Sequence, residues 1–333
     1  MKNYLNQNFT KIRNNEKLDP WAVTGLCDSE GSFTCNVSKT DKGITGYSIK
    51  LEFKVTQKRH SEGILYELIE FFGCGTVVID NRNSDTKKYH VTSLQAIFTK
   101  IIPHFYSYPC LTSKQLNFND WKRIALLLSK KEHLSLEGLK EVIKIDNGLN
   151  SKRTFEEKYN FCKNSLNLQK NGESHFDLSP HWVQAFLSGE SVFYNYIAEK
   201  KSRGKIYQSC DSSLEIAQNS HDVVILLAIK RFFNGGYIKP KYDVNDILQC
   251  KESRSVNRYI LRNTKTIIKY VDSYPILTRK YLDYTDWKQI VQLKESQAHK
   301  IEDGLNLMLQ IKNQMNLRRN DLSKPESNGT NKS

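Results

Sequence analysis

Two carboxylates carry the first chemical signal in this chain. Glu30 sits in the run WAVTGLCDSEGSF (21–33), where a short apolar stretch containing Gly25 meets an acid and then Gly31. If residues 20–29 are helical, Gly31 marks the stop and Glu30 lies in the last turn. A helix end exposes unpaired carbonyl oxygens and partial negative charge, so a carboxylate there is disfavoured unless a cation arrives. Glu190 repeats the arrangement: LSPHWVQAFLSGESVF (178–193) aligns with LDPWAVTGLCDSEGSF (18–33) at a displacement of 160 residues, with Leu, Pro, Glu and Phe in register. Two such ends side by side would bring two carboxylates together with nearby carbonyl oxygens, a hard oxygen site that suits magnesium. Gly25 and its counterpart Ala185 are small enough to let the two helix axes approach closely.

The duplication extends well beyond the acids. EFFGCGTV (70–77) answers KRFFNGGYI (230–238) at a displacement of 161, and YPCLTSK (108–114) matches YPILTRK (274–280) at 166. Asp120–Trp121 matches Asp286–Trp287, His133 matches His299, and Gly138–Leu139 matches Gly304–Leu305. Such coincidences among uncommon residues divide the chain into repeats at 18–150 and 178–316. Residues 1–17 are an N-terminal extension, 151–177 read as a polar linker with one short helix, and the polar tail 317–333 is expected to be disordered.

Elements that could hold the acids follow from periodicity. Ile49, Leu51, Phe53 and Val55 alternate with Lys50, Glu52, Lys54 and Thr56, the pattern of an antiparallel strand with one face on a core and a lysine-rich face in water. Residues 33–40 should pair with it through a turn at Gly43. Residues 61–72 have helical spacing, 75–80 and 87–91 read as a second hairpin, and helix resumes at Leu94. The second repeat gives the same order with weaker alternation around 214–218. Each half is therefore helix, two strands, helix, two strands, helices.

Bulk properties narrow the partner. With 333 residues and 38% hydrophobic content the chain can fill two cores, and 50 Lys and Arg against 36 Asp and Glu leave a formal charge of +14 that attracts polyanions. There is no run of 18 apolar residues to cross a bilayer, and the opening residues contain no secretion-type apolar core. The expectation is a soluble protein inside a cell or organelle. Seven cysteines include no C-x-x-C pair, which points to a reducing compartment without structural zinc.

GLCDSEGSF, with WAVT before it, and QAFLSGESVF in the second copy resemble the repeated LAGLIDADG motif of homing endonucleases in their two-repeat, single-chain form. The likeness runs from Leu18 to Asn316 and is to group I intron enzymes encoded in fungal mitochondria. It implies an α+β fold of two tandem pseudo-symmetric repeats, each roughly αββαββα. In each, a four-stranded antiparallel saddle would lie in the DNA major groove, with the motif helices packed together at the centre. The implied protein is a monomer with internal pseudo-twofold symmetry, cutting a long, asymmetric double-stranded DNA target with Mg2+.

Cleaving a phosphodiester needs a deprotonated water in line with the bond, charge neutralisation on the phosphate and help for the departing 3′ oxygen, all of which divalent ions supply. The resemblance gives the metal role to Glu30 for one strand and Glu190 for the other. It carries the family's basic residue near the centre onto Lys114 and Lys280, and its water-ordering polar position onto Gln57 and Gln218. From the residues alone, a lysine after Tyr-Pro-x-Leu-Thr reads equally well as surface. Bases and phosphates would be met on the wet strand faces. The candidates are Lys50, Lys54, Arg82 and Lys88 in the first half and Lys201, Arg203, Lys239, Lys241, Arg258 and Arg262 in the second.

The second motif departs from the family pattern. Ser191 stands where glycine usual follows the acid, and Ala185 replaces the glycine of the close crossing. A non-glycine at 191 matters only if that position needs a left-handed backbone. Nicking of one strand, an intron RNA maturase of the same fold, and a DNA-binding paralogue without activity are the alternatives. A small-molecule hydrolase is disfavoured, because neither a nucleophile elbow nor a phosphate-cradling glycine loop is present. Abundant Lys, Asn and Ile fit an AT-biased genome, and with the resemblance they indicate a mitochondrion, or alternatively a chloroplast.

Overall fold

The computed structural model describes residues 17–41, 44–149, 153–169, 173–202, 205–239 and 256–316. Helix α1 (Pro20–Glu30) starts at Asp19, whose side chain accepts the Trp21 amide at 2.8 Å, with Pro20 in the first turn where its missing N–H costs nothing. Every residue from Ala22 to Asp28 is buried, so α1 is an interior helix rather than an amphipathic surface one. Strand β1 (Gly31–Lys39) follows with no intervening loop, then β2 (Tyr47–Lys58), helix α2 (Gly63–Phe72), β3 (Thr76–Asn81) and β4 (Thr86–Val91). The expected turn residue Gly43 lies outside the described residues. Helix α3 combines Leu94–Ala96, a π-helical turn at Ile97–Ile101 and Ile102–Ser107. Helices α4 (Lys114–Ser129) and α5 (Leu136–Asp146) complete the first repeat.

After α6 (Phe155–Ser165) the plan recurs as α7 (Pro180–Glu190), β5 (Ser191–Ser202), β6 (Lys205–Asn219), α8 (Val223–Phe232), β7 (Tyr237–Lys239), β8 (Val256–Leu261), α9 (Thr264–Ser273), α10 (Lys280–Glu295) and α11 (Glu302–Asn313). The sheets are antiparallel, in the orders β1-β2-β4-β3 and β5-β6-β8-β7. In β2 the alternation holds as the pleat requires: Leu51, Phe53 and Val55 are buried, while Lys50 is exposed and Glu52 and Lys54 are partly covered. Helix α6 is more than a tether. A Thr154–Glu157 capping box opens it, and its Tyr159 and Cys162 are buried in the core of the second repeat.

The two cores interlock along α1 and α7. Ala185 and Leu277 of the second repeat pack into the first core, and Leu111 of the first packs into the second. At the crossing there is no room for a side chain. A Cβ added to Gly25 would lie 2.5 Å from the Trp182 carbonyl oxygen and 2.9 Å from Ala185 Cβ, and one added to Gly189 would lie 2.5 Å from Ser29 Cβ. The close approach expected of Gly25 opposite Ala185 is thus present, and the methyl of Ala185 fits because Gly25 faces it.

Gly25→Ala should therefore force the helices apart at the cost of about 1–3 kcal/mol, as overpacked cores do. Thermal denaturation should show a midpoint lowered by several degrees, whereas an unchanged midpoint would show that the crossing is loose.

Candidate active site between the motif helices

Glu30 and Glu190 are the last residues of α1 and α7, so the crossing delivers them to one place. Glu190 feels the charge of Glu30, and both carboxylates feel Lys114 and Lys280. Burial pushes both glutamates above the ordinary carboxylate range, and Glu30 pushes Glu190 further. The two ammoniums oppose the rise, as does a hydrogen bond from Gln218 to Glu190.

Each lysine reaches the centre from the first residue of a long helix. Lys114 Nζ donates to the carbonyls of Cys27 (2.6 Å) and Asp28 (3.0 Å), and Lys280 Nζ to those of Gly189 (2.6 Å) and Leu187 (3.4 Å). The ammoniums thus act as cationic caps on the last turns of α1 and α7. The carbonyl oxygens expected near the glutamates are thus at the helix ends, and these four accept hydrogen bonds from the lysines. Burial drags Lys280 down to about 8 against the pull of Glu190, Glu30 and Asp283.

Gln57 lies near the end of β2 as a buried residue, 8% exposed, and its Nε2 has no hydrogen-bond partner among the described residues. It lines a cavity of about 310 Å³ together with Glu30, Lys280, Asp283 and Asn316. An unpaired buried donor in a cavity is ready for an anionic oxygen. Gln218 occupies the matching place and is already engaged by Glu190.

Asp28 is a site residue whose role the sequence did not disclose. It is buried and accepts hydrogen bonds from the amides of Leu111 (2.9 Å) and Thr112 (3.2 Å), from Thr112 Oγ1 (2.6 Å) and, across the repeats, from Trp182 Nε1 (2.8 Å). Burial pushes its pKa up while these donors and Lys114 pull it down. Its counterpart Ser188 accepts the Leu277 amide at 2.8 Å. Gly31 and Ser191 have nearly the same extended backbone, φ −86° and −88°. Position 191 therefore has no need of a left-handed residue, and Ser191 Oγ donates to the Leu187 carbonyl at 2.6 Å.

The expected nucleic-acid contacts divide into several groups. Lys50 and Arg82 are exposed, and Lys201 is exposed near the far end of β5. Lys88 is 2.9 Å from Glu52 and 3.6 Å from Asp80, Lys54 is 3.9 Å from Asp80, and Arg258 is 3.1 Å from Glu215. Lys239 and Arg262 both approach the Tyr237 ring. Arg203 and Lys241 lie outside the described residues. The sequence reading also passed over Val192, Tyr194 and Tyr196, which stand exposed at alternate positions of β5. Their counterparts in β1 are the small polar Ser32, Thr34 and Asn36. Buried Phe193 between them was the available signal, since its neighbours must face the other way.

The model of the LAGLIDADG endonuclease family matches residues 23–125 and again 185–291, one copy in each repeat. The chain belongs to the LAGLIDADG endonuclease family. It is 27% identical over 312 residues to probable intron-encoded endonuclease 2 of Neurospora crassa, a match covering 90% of this chain and 65% of that protein. It is 26% identical over 301 residues to probable intron-encoded endonuclease 3 of the same fungus, covering 90% and 54%. The chain thus spans between about half and two thirds of the length of these curated relatives. Among solved structures, the I-LtrWI LAGLIDADG homing endonuclease bound to target DNA superposes with a TM-score of 0.75 at 26% identity, covering 90% of this chain and 98% of that one. The I-SmaMI LAGLIDADG homing endonuclease bound to cleaved DNA gives 0.74 at 28%, covering 91% and 99%.

The raised carboxylates carry a thermodynamic signature. Between the ordinary carboxylate pKa and their higher folded values, the folded chain holds protons that the unfolded chain has released, so stability falls as pH rises through that window. Glu190→Gln should then stabilise the metal-free, DNA-free protein at pH 7.5 by an amount on the order of 1 kcal/mol. A lowered melting midpoint would mean that the charge is favoured where it stands.

Proposed function

We propose that this chain is a site-specific endonuclease that hydrolyses phosphodiester bonds in a long, asymmetric double-stranded DNA target, acting as a monomer whose two repeats each serve one strand. The observation that carries this reading is the meeting of Glu30 and Glu190, one from each motif helix, with Lys114 and Lys280 beside them. Two similar proteins support it. I-LtrWI has been solved bound to target DNA, and I-SmaMI both with uncleaved DNA in the presence of calcium ions and with cleaved DNA.

Among the described residues no three His, Cys, Asp or Glu side chains gather to hold a metal. That donor set fits magnesium, which binds proteins through one or two carboxylates and takes its remaining oxygens from water and phosphate. Glu30 and Glu190 would hold it. Magnesium, when bound, neutralises phosphate charge and acidifies water. The chain's own groups do the rest. Their raised pKa values make the two glutamates eager for a cation. Lys114 and Lys280 keep positive charge at the centre where a phosphate would enter, and the unpaired Nε2 of Gln57 donates to a phosphate or water oxygen.

Recognition falls to the outer faces of the sheets. Lys50, Arg82 and Lys201 supply charge, while cations paired to Glu52, Asp80 and Glu215 are held in fixed directions, which favours base reading over loose phosphate contact. Tyr194 and Tyr196 give the second half an aromatic strip that the first lacks, so the two half-sites differ in sequence. Relatives encoded in a Podospora anserina ND4 intron and a Schizosaccharomyces pombe cox1 intron support a mitochondrial setting.

Purified protein incubated with intronless host-gene DNA and Mg2+ should cut both strands. Glu30→Gln and Glu190→Gln should each reduce cleavage at least about 100-fold while DNA binding persists. Unchanged cutting in both variants would refute the assignment.

A further inference from the structure

The helix that carries each active-site lysine is fastened at its start by the opposite repeat. The amide of Ser113, the residue before Lys114, donates to Asp222 Oδ1 at 2.8 Å, and the Ser113 hydroxyl donates to Oδ2 at 3.1 Å. The amide of Arg279, before Lys280, donates to Ser61 Oγ at 3.2 Å. Positions 61 and 222 correspond in the two repeats, as do 113 and 279. The crossing contact is therefore reciprocal in place and unequal in chemistry.

The inequality reaches the neighbouring residues. Residues 111–113 are bracketed by two buried carboxylates, Asp28 holding Leu111 and Thr112 and Asp222 holding Ser113. The matched segment 277–279 is bracketed by hydroxyls, Ser188 holding Leu277 and Ser61 holding Arg279. Hydrogen bonds to an ionised acceptor are roughly twice as strong as neutral ones. Asp222 is 6% exposed and also accepts from Cys162 Sγ of α6 at 3.0 Å, with His221 Nδ1 lying 3.1 Å from Oδ2. Burial works to raise its pKa, but His221, Cys162 and the Ser113 amide outweigh it and hold the carboxyl below its usual range. A charged acceptor therefore sits at the positive start of α4.

We propose that Asp222 is a positioning residue for Lys114, through which the second repeat sets where that ammonium stands in the active centre. Lys114 follows directly on Ser113 and must reach the carbonyls of Cys27 and Asp28 beside Glu30. Freeing Ser113 lets the start of α4 drift, and misplacement by about 1 Å costs on the order of 100-fold in rate. Lys280 has its own anchor at Ser61, so it stays in place. This inference rests on the endonuclease reading and specifies which strand responds.

The test is single-turnover cleavage of a target labelled separately on each strand, with DNA affinity and melting midpoint measured alongside. Wild type should cut both strands. Asp222→Ala should slow one strand about 10- to 100-fold, let nicked DNA accumulate, and leave the other strand and the affinity unchanged. Lys114→Ala should slow that same strand. Asp222→Asn keeps an oxygen for the Ser113 amide and should show the same bias more weakly; it decides the matter if the alanine variant does not fold. Equal rates on the two strands, or slowing of the strand that Lys114→Ala spares, would overturn the proposal. A wild type that cuts neither strand would instead remove the endonuclease reading, and this inference with it.

Discussion

The rest of the structure depends on how closely α1 and α7 approach. Gly25 rests against the Trp182 carbonyl and Gly189 against Ser29, contacts that leave no volume for a Cβ on either glycine. Because each helix passes into a strand without a loop, the crossing fixes more than the helices. It sets the separation of Glu30 and Glu190 and the relation between the two sheets that begin at Gly31 and Ser191. The bond from Trp182 to Asp28 spans the same seam. A wider crossing would separate the acids, break that bond and change the angle between the sheets together.

Bringing two acids together inside the protein works against stability. Burial raises both glutamates, the charge of Glu30 raises Glu190 further, and Lys280 is pushed down to about 8 by the same burial. The lysines relieve part of this, but they are also committed to the carbonyls at the helix ends. What remains is a centre whose two acids stay raised despite the lysines, with an amide at Gln57 that is unpaired among the described residues. A cation and a phosphate would satisfy both needs, and strain of this kind at a functional site is maintained by the packing around it. The packing that maintains it includes the fully buried Trp121, Trp182 and Trp287 and the interlocked cores.

Much of this was legible in the sequence, because repeats and parity are local signals. The register of Leu, Pro, Glu and Phe in the two motifs exposed the duplication, and the alternation from Ile49 to Val55 gave β2 its inner and outer faces. Lys114 and Lys280 stood out because their flanking residues recur. Asp28 and Asp222 did not stand out as organisers. The backbone amides they hold lie 83 to 109 residues away, and their counterparts are serines, so no repeated acid marks them. The pairings of Lys88 with Glu52 and of Arg258 with Glu215 depend on strand register, which composition does not contain. The capping of helix-end carbonyls by lysine needs the tertiary fold, and for that reason it had no mark in the sequence.

The central claim is that the crossing joins Glu30 and Glu190 into one electrostatic unit. Its most direct test is an NMR titration of the two side-chain carboxyl carbons in the metal-free protein, repeated in Glu30→Gln. Both groups should titrate above the ordinary value of 4.5, and removing the charge at 30 should bring Glu190 down. Two ordinary titrations, with Glu190 indifferent to the substitution, would contradict the shared centre.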